Sequence, residues 1–207
     1  GVASPMLADI YLHYVLDEWF VKEIQPQLRG RSFVIRFADD FIIGCEFEKD
    51  ALWVMEQIKI RFAQFALTIH PEKSAVIDFR PGLNKSKSGN GKGTFVFLGF
   101  THYWAKSRRG LWVIKRKTSS KKIKSTKRRI WLWCRNNKHM KTKKQHKKIC
   151  QKLRGHFQYF AIRCNYRALE KVLSYMRKAW HYWLGRRTRK RLTWEKFEKI
   201  LETYPLP

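Results

Sequence analysis

No stretch of this chain stays apolar for 18 residues, which excludes a membrane-spanning helix. No two of its four cysteines, Cys45, Cys134, Cys150 and Cys164, form a C-x-x-C pair, and nothing suggests secretion. Free structural thiols in a reducing compartment are expected. Cys134, His139, His146 and Cys150 match no familiar zinc spacing. The start, Gly1 to Leu7, has no basic leader, so a signal peptide is not expected there; it reads as the interior of a domain. No Cys/His-rich segment closes the chain, so no nuclease function is expected within it. Internal repeats are also lacking. Acid is the scarcest chemistry: 16 Asp and Glu face 45 Lys and Arg, a formal net charge of +29.

What is present is ample core material. The 207 residues are 44% apolar, enough for one large domain or two small ones. Nine Trp, eight Tyr and fourteen Phe argue against disorder despite the charge. The charge itself is uneven. Residues 1–80 hold 9 Lys and Arg against 12 Asp and Glu; residues 81–207 hold 36 against 4. A near-neutral front and a strongly basic back suggest chemistry in front and phosphate binding behind. A merely solubilising surface is the plainer alternative, but self-repulsion at this density is costly without a polyanion.

The pattern predicts an α+β fold. Residues 4–24 read as a helix opened by Ser4-Pro5, with Leu7, Ile10, Tyr11, Tyr14, Val15, Leu16 and Phe20 at helical spacing. Arg29-Gly30-Arg31 is a turn, and Phe33 to Cys45 reads as a buried hairpin. Lys49 to Phe65 is a second helix, with Leu52, Met55, Ile58, Phe62 and Phe65 on one face. Leu67–Ile69 and Ala75–Ile77 are expected to be strands around a turn at His70 to Lys73. Residues 81–93 form a flexible basic loop and the best internal boundary. A short strand over 95–100, or its extension, is expected to pair with 111–114 through the turn at 107–110. The remainder reads as a basic bundle of three or four helices.

Phe37-Ala38-Asp39-Asp40 stands out. Apolar runs flank it, and two carboxylates at a hairpin tip gain nothing for folding, since they lose hydration and repel each other. A divalent cation resolves this, because Mg²⁺ is usually held by one or two carboxylates plus substrate phosphates. Adjacent strand residues face opposite ways, so the turn must re-aim one acid, or one ligates and the other works beside it. The turn also lacks the Asn-Gly or Asp-Gly that such hairpins prefer. The competing reading is an acidic solvent loop.

Phe33-Val34-Ile35-Arg36-Phe37-Ala38-Asp39-Asp40-Phe41 resembles the central aspartate motif of reverse transcriptases, in the form of group II intron-encoded proteins. Gly1 to Leu12 is similar to the preceding family block, with Asp9 where Asn is usual. Leu67 to Ser74 resembles the next block, and Phe97-Leu98-Gly99-Phe100 the one after. Leu153 to Phe160 and Trp183 to Arg187 look like the maturase-specific thumb. This resemblance implies the C-terminal part of a palm over 1–115 and a helical thumb/maturase domain over 116–207. It implies an RNA-directed DNA polymerase that copies group II intron RNA and binds that RNA to assist splicing. The primer hydroxyl attacks a nucleotide α-phosphate in line, helped by two Mg²⁺ ions.

Asp39 would be the main metal ligand and Asp40 auxiliary; the family's third aspartate would lie upstream of Gly1. Without it, residues 1–207 alone are expected to be inactive. Lys73 could neutralise departing pyrophosphate, or be a plain surface lysine. Ser4 and Pro5 open a helix whose N-terminus could face template or nucleotide, or simply cap it. RNA contacts are expected from Arg154, His156, Arg163, Arg167, Arg186, Arg187, Arg189 and Lys190, interleaved with Tyr159, Tyr166, Tyr182 and Trp194. Partners would be intron RNA, primer DNA and dNTP, with no membrane, in a bacterial cytoplasm or an organelle. The alternatives are an RNA-binding splicing factor without polymerase activity, which Asp39 and Asp40 disfavour, and a reverse transcriptase of another mobile or defence system.

Overall fold

A computed structural model describes residues 3–82, 93–187 and 192–207, with only the backbone of 3–5. The fold is α+β, with two small antiparallel sheets. The chain forms two compact units, 1–93 and 94–207. The three-stranded sheet therefore groups with the helices after it, at a different place from the palm–thumb division expected at 115/116.

The first unit opens with α1 (Ala3–Leu12). Because α1 already includes Ala3, Ser4 and Pro5 lie inside its first turn rather than before it; their side chains are outside the described residues. The helix continues in π-helical turns over His13–Glu18 and Phe20–Ile24 and ends in a 3-10 turn, Gln25–Gln27, that holds Pro26. Helical spacing was expected here; the pitch differs. Val15, Leu16, Trp19, Phe20 and Ile24 all fall on the buried side. Their steps of four and five residues suit the wider turn of a π-helix.

This stripe packs on Val54, Ile58 and Phe62 of α2 (Glu48–Gln64). Those three are spaced by four, so they form one face. Leu52, expected on that face, is exposed. Asp50 at the start of α2 is buried. Its Oδ2 accepts the backbone N–H groups of Arg29 (3.1 Å) and Gly30 (3.4 Å), which fixes the turn before the first hairpin. A Cβ on Gly30 would sit 2.7 Å from Glu46 Cβ, so glycine is required there.

β1 (Ser32–Phe37) and β2 (Asp40–Cys45) form that hairpin. Cross-strand partners share a face. Val34, Phe41, Ile43 and Cys45 pack on the helices. The other face carries Phe33, Ile35 and Phe37, which are 51–63% exposed. The expectation of a fully buried hairpin is thus corrected: helices cover one face of this two-stranded sheet. The strands expected at 67–69 and 75–77 do not form. Leu67 N–H closes on Phe62 O (2.8 Å), and Lys73 and Ser74 N–H both close on His70 O (3.1 Å). These local bonds, and the missing N–H of Pro71, replace a ladder. Leu67 and Ile69 still pack on the core.

In the second unit the expected strand over 95–100 is split. β3 (Thr94–Phe97) turns at Leu98-Gly99 into β4 (Phe100–Lys106), which pairs with β5 (Trp112–Thr118). Four helices follow: α3 (Ser120–Asn136), α4 (Thr142–Phe160), α5 (Tyr166–Gly185) and α6 (Trp194–Thr203). Ile130, Ile149, Leu153, Val172, Met176, Trp180 and Phe197 make their core. Cys164 lies beyond α4 in a left-handed conformation and is exposed. Buried Asn165 joins sheet to helices. Its Oδ1 accepts Thr118 N–H, and its Nδ2 donates to Thr118 Oγ1 and Phe160 O, all at 2.8 Å.

Candidate functional site

The tip of the β1–β2 hairpin is a two-residue turn, Ala38-Asp39, closed by the pair Phe37 and Asp40. Ala38 has φ +54°, whereas Asp39 does not enter positive φ. A positive φ at the first turn residue alone is the type II′ pattern, where glycine is the usual occupant. An alanine there costs about 1–2 kcal/mol. This strain lies directly before the two acids. Asp39 is a turn residue and Asp40 a strand residue, so the strict alternation that would oppose them does not apply. Both are exposed, and among the described residues neither makes an ion pair.

What holds the tip is a residue whose role the sequence pattern did not reveal. Arg36 lies on the covered face with its side chain only 10% exposed. Its Nε donates to both oxygens of Asp17 (2.9 Å), and its Nη2 to Asp17 Oδ2 (2.7 Å). Its Nη1 donates to Asp9 Oδ1 (2.5 Å) and to Ala38 O (3.2 Å). One guanidinium thus ties the turn to α1 and to the π-helical segment. The bonds to Asp17, and secondarily to Asp9, raise the Arg36 pKa against the opposing pull of burial. The position of Asp9, where Asn is usual in the family block, was the available clue: it supplies a carboxylate to the fork.

Lys73 is exposed in the turn after His70 and makes no ion pair among the described residues. No group of three or more His, Cys, Asp and Glu suited to a metal occurs among the described residues. His146 Nε2 lies 3.1 Å from Cys150 Sγ and 2.8 Å from Pro205 O, an arrangement that docks the C-terminal segment on α4. Burial pushes the Cys134 thiol up to about 12, which makes it inert.

The predicted RNA-contacting residues divide by environment. Arg154, Arg163, Arg167 and Arg186 are exposed. Arg186 lies over the Tyr182 ring (5.0 Å) and donates to its hydroxyl (3.0 Å). His156 is half-buried against Phe160 (ring centroids 4.7 Å); burial lowers its pKa, with Arg129 and Lys122 acting the same way. Arg187 differs. It donates to Lys138 O, Met140 O and Thr142 Oγ1 (3.1 Å), so its guanidinium braces the α3–α4 connection, and burial lowers its pKa. Arg189 and Lys190 lie outside the described residues. Tyr159, Tyr166, Tyr182 and Trp194 are all exposed, at 41–74%.

No curated protein matches the chain. A family model does: residues 1–102 match Reverse transcriptase (RNA-dependent DNA polymerase). The match covers the whole first unit, including the Asp39-Asp40 hairpin and the Arg36 fork, and runs into β4. These residues, just under half of the chain, are the part similar to a reverse transcriptase domain.

Proposed function

We propose that this chain is the C-terminal part of the palm, with the thumb/maturase region, of a group II intron-encoded reverse transcriptase. The observation that carries this reading is the hairpin tip: two adjacent, exposed, unpaired carboxylates on a strained turn that Arg36 clamps from behind. Strain of this kind persists where the surrounding structure over-determines it, and it clusters at functional sites. The donor set suits a hard cation, since Asp39 and Asp40 offer oxygen ligands and Mg²⁺ accepts one or two carboxylates beside substrate phosphates. Asp39 is the main ligand and Asp40 its neighbour; the family's third aspartate has no match within residues 1–207. When bound, Mg²⁺ would lower the charge barrier to attack on a phosphate and stabilise the leaving oxygen.

The chain's own residues supply position. Arg36 holds Ala38 and thereby the aim of Asp39. It also takes up Asp9 and Asp17, so those carboxylates do not compete for a cation. Lys73 offers a mobile positive charge for pyrophosphate. The basic second unit supplies intron-RNA affinity, with Arg154, Arg163, Arg167 and Arg186 exposed for it. Primer DNA and dNTP complete the partner set, in a bacterial cytoplasm or an organelle.

The test is Asp39→Ala in the intact protein that contains this stretch. Primer extension should be abolished, while affinity for intron RNA stays within about twofold, because the carboxylates and the cations belong to different units. Retained extension with lost RNA binding would overturn the reading. Purified residues 1–207 should show no Mg²⁺-dependent cDNA synthesis. The alternative, a splicing factor without polymerase activity, requires the Asp39→Ala parent to extend primers no worse than its unsubstituted form, because neither does.

A further inference from the structure

Between Asp78 and Glu170 the chain contains no acidic residue, yet 27 Lys and Arg fall in that interval. α4 concentrates this imbalance. It buries Gln145, Ile149, Cys150 and Leu153 along one side. Lys143, Lys144, Lys147, Lys148 and Arg154 are exposed. At 1.5 Å per residue they span about 16 Å of one helix. Among the described residues none of the five joins an ion pair; the second unit's pair is Arg177 with Glu198, on α5 and α6. Lys152 is set apart, lying over the Trp133 ring at 5.6 Å.

Nothing in folding favours this arrangement. Lys143 and Lys147, and Lys144 and Lys148, are like charges four apart, which oppose helix formation. Lys143 and Lys144 also stand in a first turn that has no acid, at the positive end of the helix dipole. A polyanion would reverse each of these penalties. Along the cationic stretch from Lys143 to Arg154 the helix also lacks aromatic residues: none occurs between Trp133 and Phe157. Single-strand binding relies on aromatic platforms for bases. A smooth row of cations without such platforms suits a phosphate backbone of high, regular charge density, as in a double helix.

We infer that the exposed face of α4, through Lys143, Lys144, Lys147, Lys148 and Arg154, is a binding surface for the phosphate backbone of a nucleic-acid duplex, read without base contacts. The inference rests on the nucleic-acid reading above and assigns that reading a surface of its own, in which only Arg154 was anticipated.

The experiment is a salt titration of residues 1–207 with a 20-base-pair RNA duplex, a 20-nucleotide single strand and phosphatidylserine vesicles. Each phosphate contact contributes about 0.7–0.9 to the slope of log K against log salt. K143Q/K144Q/K147Q/K148Q should therefore lower the duplex slope by about three. K196Q/K199Q on α6, where Glu195, Glu198 and Glu202 dilute the charge, should lower it by less than one. The single strand should lose less than the duplex. The quadruple variant should melt at the same temperature as the parent chain or higher, since repulsion is removed, which separates lost binding from lost folding. An unchanged duplex slope, with tight binding by the unsubstituted chain, overturns the α4 assignment and leaves the wider RNA reading standing. Salt-independent or absent binding by the unsubstituted chain overturns both. A larger loss for the single strand, or vesicle binding that matches the duplex and is lost with it, overturns the duplex as partner.

Discussion

Among the described residues, two hairpins are closed by two-residue turns, and they are built in opposite ways. Leu98-Gly99 between β3 and β4 has positive φ at both residues, +49° and +80°, the type I′ pattern that matches strand twist. Glycine takes the second position without strain, Phe100 is buried on Phe160 (ring centroids 5.1 Å), and Tyr159 donates to Leu98 O (3.0 Å). Leu98 carries the same left-handed strain as Ala38, about 1–2 kcal/mol, and the packing of Phe100 with the Tyr159 bond offsets it. Ala38-Asp39 between β1 and β2 has neither glycine nor cover over its tip. It is held instead by one guanidinium that reaches carboxylates 19 and 27 residues earlier. The turn with glycine and cover is held by its own neighbours. The uncovered one presents two exposed acids and depends on distant charges for its shape.

If this contrast is right, Arg36→Ala should have the largest effect. It leaves Asp17 and Asp9 without their cation and frees Ala38. Removing one partner of a buried pair costs about 3–5 kcal/mol. Because Asp9 is 62% exposed and keeps water, about 3 kcal/mol is expected, read as a shift in the denaturant midpoint. Arg36→Lys should recover part of the stability, because it restores charge without the fork. At the other hairpin, Tyr159→Phe removes one exposed hydrogen bond and should cost under about 1 kcal/mol. Equal losses would break the contrast.

Swapping the turn chemistry comes next. Ala38→Gly should stabilise by about 0.5–1 kcal/mol, since relief of the left-handed strain exceeds the entropy gained by the unfolded chain. Gly99→Ala should destabilise by about 1 kcal/mol. A Cβ there would meet the Phe160 ring at 3.6 Å, an ordinary contact, so the backbone alone sets the effect. Opposite signs in chemical unfolding sharpen the comparison; the same sign at both turns would refute it.

The sequence carried some of this and hid the rest for definable reasons. The acids of the first hairpin were legible because apolar runs bracket them, and α4, α5 and α6 were legible because Ile149-Leu153, Val172-Met176-Trp180 and Phe197-Leu201 repeat at helical spacing. The Arg36 fork was not, because its partners are distant in sequence and periodicity carries no information about charge pairing. Leu98-Gly99 reads as strand interior, since Phe95 to Phe100 is almost continuously apolar and only the glycine marks the turn. The π-helical pitch was hidden because Val15, Leu16, Trp19 and Phe20 also satisfy α-helical spacing. The strands predicted at 67–69 and 75–77 had the right composition, but a sheet also needs a partner, and local turns took the backbone instead. Arg187 looks like its neighbours in sequence, yet it lies where the α3–α4 connection needs donors for three oxygens.

The smallest effect expected is a difference in acid sensitivity that follows the second hairpin. His102 on β4 stacks on Phe95 of β3 (ring centroids 4.8 Å, interplanar angle 5°) and pairs across β5 with Arg116. Burial lowers its pKa; Arg116 acts the same way, and a bond to the Phe100 backbone opposes them. His156, against Phe160, is lowered for the same leading reason. A histidine with a depressed native pKa stays neutral in the fold while the unfolded chain takes up a proton near pH 6.5. Its contribution is therefore present above about pH 6.5 and is lost as pH falls from there toward the native value. The denaturant midpoint should drop between pH 7.5 and 5.5. His102→Gln should remove part of that drop, and His102→Gln with His156→Gln more of it, while Ala38→Gly shifts the midpoint equally at both pH values. A midpoint that does not change over this interval, or a drop that persists in full in the double variant, would show that neither histidine is held neutral by the fold.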